Sequence, residues 1–507
     1  MGKAAGERQL SGISRMIART LHEGGGSPAI EYHEEWCTWG ELGTLADRLN
    51  AVLASRVPGE RRIGLIVRNN PVVLAAMLGL ISKGYTVVML HGAQKPERLA
   101  NEIADLSLAA IMGEERYWQD TVRDAASQAG SLGLMLPAEL SGSPELLEPQ
   151  AALEPRPADP AVALELLSSG TTGPPKRIPI LWRTLELALG GAHGTALFDK
   201  GDGTLSGRDL PAAISGLSLG NIGGVYMMLP SVLIGQRIVM LDKFAVEPWL
   251  RAVKLYKPEV LSVQPVGLRM ILDARVARED LSSLKTIVAG ASKLDPDLQV
   301  EFEDTYGMRL FGAYGATETC GSIIVWTDDL YDRFYPEKRG SVGKPIPGVE
   351  VRIVDPDTGE EVATGQSGLL HARVDRVGPH WIETTDFAHI DEDGFVYVTG
   401  RADNAIDRGG YSVPPDMVAD VLRRHPAVKD AAVVGLPDAR LGEVPVAAVE
   451  LVDGAQHVTG DALIDFAREH LLSYQVPAQI ICVDELPRNA SLKIMAPAVR
   501  ELFGEAN

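Results

Sequence analysis

Positive charge is in short supply in this chain: 48 lysines and arginines stand against 68 aspartates and glutamates, a net charge of −20. Such a field argues against a non-specific binder of nucleic acid or of an anionic membrane. Any polyanionic ligand must be held by local lysines, arginines and amides. Cysteine is scarcer still. Cys37, Cys320 and Cys482 lie far apart, and three thiols leave one unpaired in any disulfide scheme. They read as buried or incidental thiols of a reducing compartment. The longest apolar run, Val72 to Ile81, is too short to span a bilayer. Met1–Arg8 carries no apolar stretch of signal-peptide type, and Gly6 stands where a myristoylation site wants Ser or Thr. The expectation is a cytoplasmic protein with no membrane span. A Ser/His/Asp or Cys/His catalytic arrangement is also missing. Asp199-Lys200-Gly201-Asp202-Gly203 lacks the ligand spacing of a calcium loop.

What is present suits a packed multidomain protein: 507 residues, 45% of them hydrophobic and 23% charged. Ile63–Val67 reads as a buried strand, Pro71–Ile81 as a helix and Thr86–Leu90 as the next strand, a spacing that predicts a parallel sheet covered by helices. The pattern recurs through helix Trp249–Tyr256, strand Val260–Val263, helix Val266–Asp273, strand Thr286–Ala289 and helix Pro296–Tyr306. From Gly340 the texture changes to antiparallel strands, Val349–Val354 and Leu369–Val374, with a hairpin turn at Asp391–Gly394. After Arg401 a compact unit begins, with helices Pro415–Arg424 and Gly460–His470 and strands between them. The predicted fold class is therefore α/β. A large N-terminal domain, 1–402, combines parallel sheets with an antiparallel β subdomain, and a small C-terminal α+β domain spans 403–507. Segments 127–160 and 199–216, rich in Gly, Pro and Ala, are expected to be surface loops.

One loop stands out chemically. Ser168-Ser169-Gly170-Thr171-Thr172-Gly173-Pro174-Pro175-Lys176 follows the alternating residues Ala161, Ala163, Leu166 and Leu167. Glycines let backbone approach an anion, hydroxyls and amides donate to phosphate oxygens, and a lysine adds mobile positive charge. The spacing is not that of the Walker loop. Further clusters follow in order: Tyr314-Gly315-Ala316-Thr317-Glu318 beyond an apolar strand, Thr384-Thr385-Asp386, Gly400-Arg401, and Lys493 near the end. A ring can stack on a base there, a hydroxyl can reach phosphate, and a carboxylate can hold Mg²⁺.

Taken in this order, with Gly340-Ser341-Val342-Gly343-Lys344-Pro345 and Gly435-Leu436-Pro437-Asp438 in support, the chain resembles the adenylate-forming superfamily over about residues 28–503. That superfamily comprises acyl- and aryl-CoA synthetases, adenylation domains and beetle luciferase. The resemblance implies an AMP-forming acid–CoA ligase using ATP, Mg²⁺ and CoA. By it, Ser168 to Gly173 and Lys176 lie against the ATP phosphates, and Tyr314 stacks on adenine beside Gly290-Ala291-Ser292, with Gly315 adjoining. Thr317 contacts the α-phosphate and Glu318 the magnesium. Asp386 accepts from the ribose hydroxyls, Arg401 assists nearby, and Lys493 bridges carboxylate and α-phosphate. Asp403 is the hinge about which the small domain turns. Asn221, Gly223, Gly224, Ala316 and Cys320 border the acyl group, where small residues imply a bulky aromatic, alicyclic or medium-to-long acid. Arg408, Gly409, Gly410 and Tyr411 face CoA.

The chain departs from the family pattern in places. Leu492 replaces the glycine usual before the lysine, Thr385 the glycine before Asp386, and Gln475 a basic residue that often accompanies CoA binding. Asn221 opens either a polar pocket wall or simply a glycine-rich helix. Three functions stay open at this point. One is a free-standing CoA ligase, favoured by the short stretch after Lys493. The others are an enzyme loading a carrier protein in trans and a nucleotide-binding relative that no longer catalyses.

Overall fold

The computed structural model describes residues 10–92, 94–151, 158–167, 176–193, 207–356, 358–401, 405–408, 411–438, 441–489 and 492–504. The Ser168–Pro175 loop, Asp403, Gly409 and Gly410 lie outside them. The first sheet runs in the order Glu145–Leu147, Leu132–Leu136, Ala110–Glu114, Arg62–Val67, Thr86–His91, Val162–Leu167, Arg177–Leu181. Its inner strands are parallel and its two edge strands antiparallel. The helix Pro71–Ser82 explains the longest apolar run: it is buried from Val72 to Ser82. Pro71 at its first turn and the Asn70 side chain, which accepts from Val72 N–H at 2.7 Å, define its start. A helix apolar all round belongs inside a core rather than on its surface.

A second sheet carries most of the site. Val260–Val263, Thr286–Ala289 and Arg309–Ala316 are parallel, and Gly321–Val325 turns back antiparallel to Arg309–Ala316. Third comes an antiparallel sheet of Val349–Val354, Gly368–Val374, Trp381–Ile390 and Val396–Arg401. The residues after Ile406 form a further sheet in which Gly442–Leu451 pairs antiparallel with Val428–Asp438 and parallel with Gln479–Val483. Helices Pro415–Arg423 and Gly460–His470 share its core through Val418, Leu422, Leu463 and Ala467. The expected mixed α/β fold is present.

Two expectations fail. Segment 127–160 contains the strand Leu132–Leu136, with Leu134 fully buried. Segment 199–216 contains the strand Ala213–Ser215, which pairs parallel with Ile238–Met240 and buries Ile214. Each strand is too short for its period-two pattern to stand out against flanking Gly and Pro. Among the described residues, no helix is long and apolar enough to cross a membrane.

Candidate active site

The strand Arg309–Ala316 enters the core with Leu310 and Phe311 and emerges with Tyr314, whose hydroxyl donates to Asp386 Oδ2 at 2.5 Å. Asp386 is held in turn by strand pairing, which sets it opposite Arg401. Its backbone N–H donates to Thr384 Oγ1 at 3.1 Å, and that hydroxyl donates to Leu370 C=O at 2.6 Å. Arg401 Nη1 lies 3.7 Å from Asp386 Oδ1, and Arg401 Nη2 donates to Thr385 Oγ1 at 2.8 Å. Burial, then the neighbouring Asp386 carboxylate, push the Tyr314 phenol far above its ordinary range, so it stays a neutral donor. The ring is therefore fixed at one end while its face borders the cleft.

The turn after that strand is braced from inside. Thr319 Oγ1 accepts from Ala316 N–H at 2.9 Å and lies within hydrogen-bond reach of the Ala316 and Gly321 carbonyls. Cys320 N–H donates to Thr317 C=O at 3.1 Å. This geometry presents Thr317 and Glu318, both partly exposed, on the cleft. At the end of the neighbouring strand Thr286–Ala289, Ala291 takes a left-handed φ of 67°, turning Gly290-Ala291-Ser292 along the same wall. A Cβ on Gly290 would come no closer than 3.6 Å to its neighbours, so that edge is open.

Lys493 arrives from the other end of the chain. Asn489 and Lys493 are bonded to each other: Asn489 N–H donates to Lys493 C=O at 2.8 Å, and Asn489 Oδ1 accepts from Lys493 N–H at 3.0 Å. Leu492 has φ 60°, a left-handed conformation that favours glycine. Its side chain packs against the core of the Val260–Ala316 region. The Lys493 ammonium is pushed below its ordinary range, first by burial and then by Arg401, while Asp386 acts the other way. The amine thus shares one electrostatic environment with the two residues that flank Tyr314.

Tyr314, Thr317, Glu318, Gly290, Asp386, Arg401 and Lys493 line one cleft of about 3630 Å³, together with Lys176, Asn221, Gly223 and Gly224. Single-ligand pockets measure about 300–1,000 Å³, so the cleft has room for several ligands at once. The sequence matches the AMP-binding enzyme family over residues 17–379 and the AMP-binding enzyme C-terminal domain over residues 418–493. The chain belongs to the AMP-binding enzymes.

Relatives extend along the chain. A 2-succinylbenzoate–CoA ligase of Bacillus pumilus is 28% identical over 485 residues, covering 92% of this chain and 93% of its own. The 4-coumarate–CoA ligase-like 5 of Oryza sativa subsp. japonica is 31% identical over 350 residues, covering 68% and 62%. Among solved structures, the o-succinylbenzoate CoA synthetase of Bacillus subtilis in complex with its acyl-adenylate intermediate superposes with TM-score 0.77 at 23% identity. That likeness covers 95% of this chain and 97% of the other.

Within this AMP-binding enzyme, several sequence expectations need correction. Cys320 is fully buried in the core and does not border the cleft, because its φ of 52° turns the side chain inward. Gly224 lines the cleft as expected but also serves backbone packing, since a Cβ there would lie 2.0 Å from Ser218 O. Gly315 likewise permits close strand pairing with Gly321. A Cβ on Gly223, by contrast, would meet only Leu217 Cδ1, at 3.8 Å. Arg408 Nη1 donates to the Tyr474 and Val476 carbonyls at 2.9 and 3.0 Å, so it fastens the Leu472–Pro477 segment. Among the described residues that line the cleft, Arg408 does not appear, and the Tyr411 side chain lies outside the described ones. Two residues that do, Tyr226 and Arg376, carry no motif signal in the sequence.

Proposed function

We propose that this AMP-binding enzyme is an ATP-dependent carboxylic acid–CoA ligase that works by adenylation followed by thioesterification. The observation that carries the reading is the convergence of Lys493, Arg401, Asp386 and Tyr314 in one cleft. These groups fit a nucleotide. A locked aromatic face borders an open strand edge for the base, and Asp386 Oδ1, not used by Tyr314, can accept from ribose. Lys176, Arg401 and Lys493 place cations in an otherwise strongly acidic protein. For magnesium the fit is partial by design: no cluster of three ligating side chains occurs among the described residues. Glu318 would contribute one oxygen, with phosphates and water supplying the rest. The ion would neutralise phosphate charge.

In the first step a carboxylate oxygen attacks the α-phosphorus, and the bond to the bridging oxygen breaks to release pyrophosphate. Two anions must meet, so positive charge has to be focused there. Lys493 lies between them in this reading, with Thr317 donating to an α-phosphate oxygen. In the second step the CoA sulfur attacks the acyl carbonyl, and AMP leaves with the electron pair. Because an aqueous thiol can serve as nucleophile, no protein nucleophile is required. The lobe arrangement described belongs to the first step. Rotation of 403–507 about Asp403 against 1–402 would withdraw Lys493 and admit the thiol. The open wall at Asn221 and Gly223 supports a bulky acid.

Lys493→Ala should lower acid-dependent pyrophosphate–ATP exchange by about a hundredfold or more, while thioester formation from supplied acyl-adenylate persists. Wild-type exchange by that variant would refute the role of Lys493. Comparing CoA with a holo-carrier protein as acceptor separates the two thiol sources.

A further inference from the structure

Most half-buried arginines around the parallel sheet have carboxylate partners. Arg62 pairs with Glu165 at 2.7 Å, Arg177 with Glu102, and Arg68 with Asp242 at 3.0 Å. Arg376 does not. Its Nε and Nη2 donate to Thr319 C=O at 3.2 and 3.0 Å, and Nη2 also donates to Ser322 C=O at 3.0 Å. Its own carbonyl accepts from Thr184 Oγ1 at 3.0 Å, which fixes the main chain. A guanidinium has five N–H donors. The two on Nη1 have no partner among the described residues.

Among the described residues, two titratable groups face this cation, Tyr226 and Cys320. Burial pushes the Cys320 thiol up to about 11 and raises the Tyr226 phenol as well, so neither is an anion at neutral pH. Burial also pulls Arg376 down, yet a guanidinium remains protonated. A desolvated charge without a counter-charge is unfavourable unless a ligand supplies one. The Tyr226 hydroxyl also lacks a hydrogen bond among the described residues. Its ring sits where a Cβ on Gly321 would lie 2.6 Å from Cε2, so that glycine makes its seat. Both side chains line the cleft beside Ser322 and Gly223. Arg376 grips the turn that also presents Thr317 and Glu318, which puts it close to the reacting end of the cleft.

We propose that Arg376 and Tyr226 bind a second carboxylate of the acid, distal to the one that is activated, so that the preferred substrates are dicarboxylic. A planar guanidinium with a phenol beside it matches a carboxylate in both charge and donor geometry. This rests on the ligase reading and narrows its substrate class. The binding makes these specificity residues, without a part in bond breaking.

The test uses the full chain and pyrophosphate release. It compares aromatic and aliphatic dicarboxylic acids with their monomethyl esters, which keep the skeleton and remove the second charge. Wild type should favour the diacid in kcat/KM by about tenfold or more. Arg376→Met should abolish that preference while leaving monoester turnover in place. Tyr226→Phe, which removes one oxygen and no protein contact, should reduce the preference severalfold at an unchanged melting temperature. It decides the matter should Arg376→Met fail to fold. Equal use of diacid and ester by wild type would overturn the inference. So would a rise in the KM for ATP with every acid in Arg376→Met at an unchanged diacid-to-ester ratio, since the anion held would then be a nucleotide phosphate. Turnover of monoacids alone sinks the inference and spares the ligase reading; absence of pyrophosphate release with every acid sinks both.

Discussion

At the scale of single residues, Lys493 and Leu492 act as a pair. Burial and Arg401 hold the lysine below its ordinary range, so in the free enzyme it loses its proton at lower pH than an exposed lysine. In the proposed mechanism adenylation needs the charged form. Acid-dependent exchange, as kcat/KM, should therefore fall as pH rises through that lowered value. In Lys493→Arg the residual activity should show no such alkaline limb, because a guanidinium does not titrate there. An identical limb in both proteins would assign it to another group. Leu492 holds a left-handed backbone that costs about 1–2 kcal/mol for an L-residue, and it packs across to the Val260–Ala316 core. Leu492→Gly relieves the strain but deletes that contact. The expected outcome is slower adenylation with thioester formation from acyl-adenylate unchanged or faster, read from the two half-reactions separately.

Elements carry the site because their own packing leaves few alternatives. The helix Pro296–Tyr306 starts at Asp295, whose side chain accepts from Asp297 and Leu298 N–H, and ends at Gly307 with φ 68°. Its inner face buries Phe302 and Glu303 beneath the strand Arg309–Ala316. Burial pushes the Glu303 carboxyl up to about 7, although Leu310 N–H donating at 3.1 Å pulls the other way. The folded-state value lies above the unfolded one, so the native state binds this proton more tightly. That stabilisation is complete below the ordinary carboxylate range and disappears as pH rises through about 7. Glu303→Gln should therefore gain stability over wild type by roughly 1–3 kcal/mol at pH 8 and by much less at pH 5. Denaturant midpoints at the two pH values measure this, and a pH-independent difference would contradict it. The same elements show where the sequence was legible. Pro71–Ile81, Thr286–Ala289 and Pro296–Tyr306 were evident from apolar runs and their strand–helix spacing. Leu132–Leu136 and Ala213–Ser215 were not, since a short strand among glycines and prolines owes its existence to the sheet that receives it.

For the whole molecule, the proposed mechanism makes the arrangement of the last hundred residues against the rest decide which half-reaction the cleft performs. Lys293 follows the Gly290–Ser292 wall; it donates to Thr399 C=O at 3.4 Å and pairs with Asp420 on the helix Pro415–Arg423. Lys429 lies 3.7 Å from Asp273. These polar contacts suit the proposed rotation between steps, since partly exposed ion pairs contribute only about 1 kcal/mol each. Lys293→Met should therefore slow adenylation by about fivefold and leave the thioester half-reaction intact. Loss of both half-reactions together would mean that Lys293 serves stability instead of lobe arrangement.

The order of Tyr314, Thr317, Glu318, Asp386, Arg401 and Lys493 along the chain was enough to read the family and the kind of fold, because each residue type answers a local chemical need. Orientation was not contained in that order. Whether a small residue opens a pocket or lets two backbones touch depends on which way its Cβ points, and here that separated Gly223 from Gly224 and turned Cys320 inward. Whether an arginine is spent on carbonyls or kept for a ligand depends on neighbours far away in sequence. Arg408 is absorbed by the Leu472–Pro477 segment, while Arg376 keeps one nitrogen for the cleft. Motifs record what a residue can do, and only packing assigns it a partner.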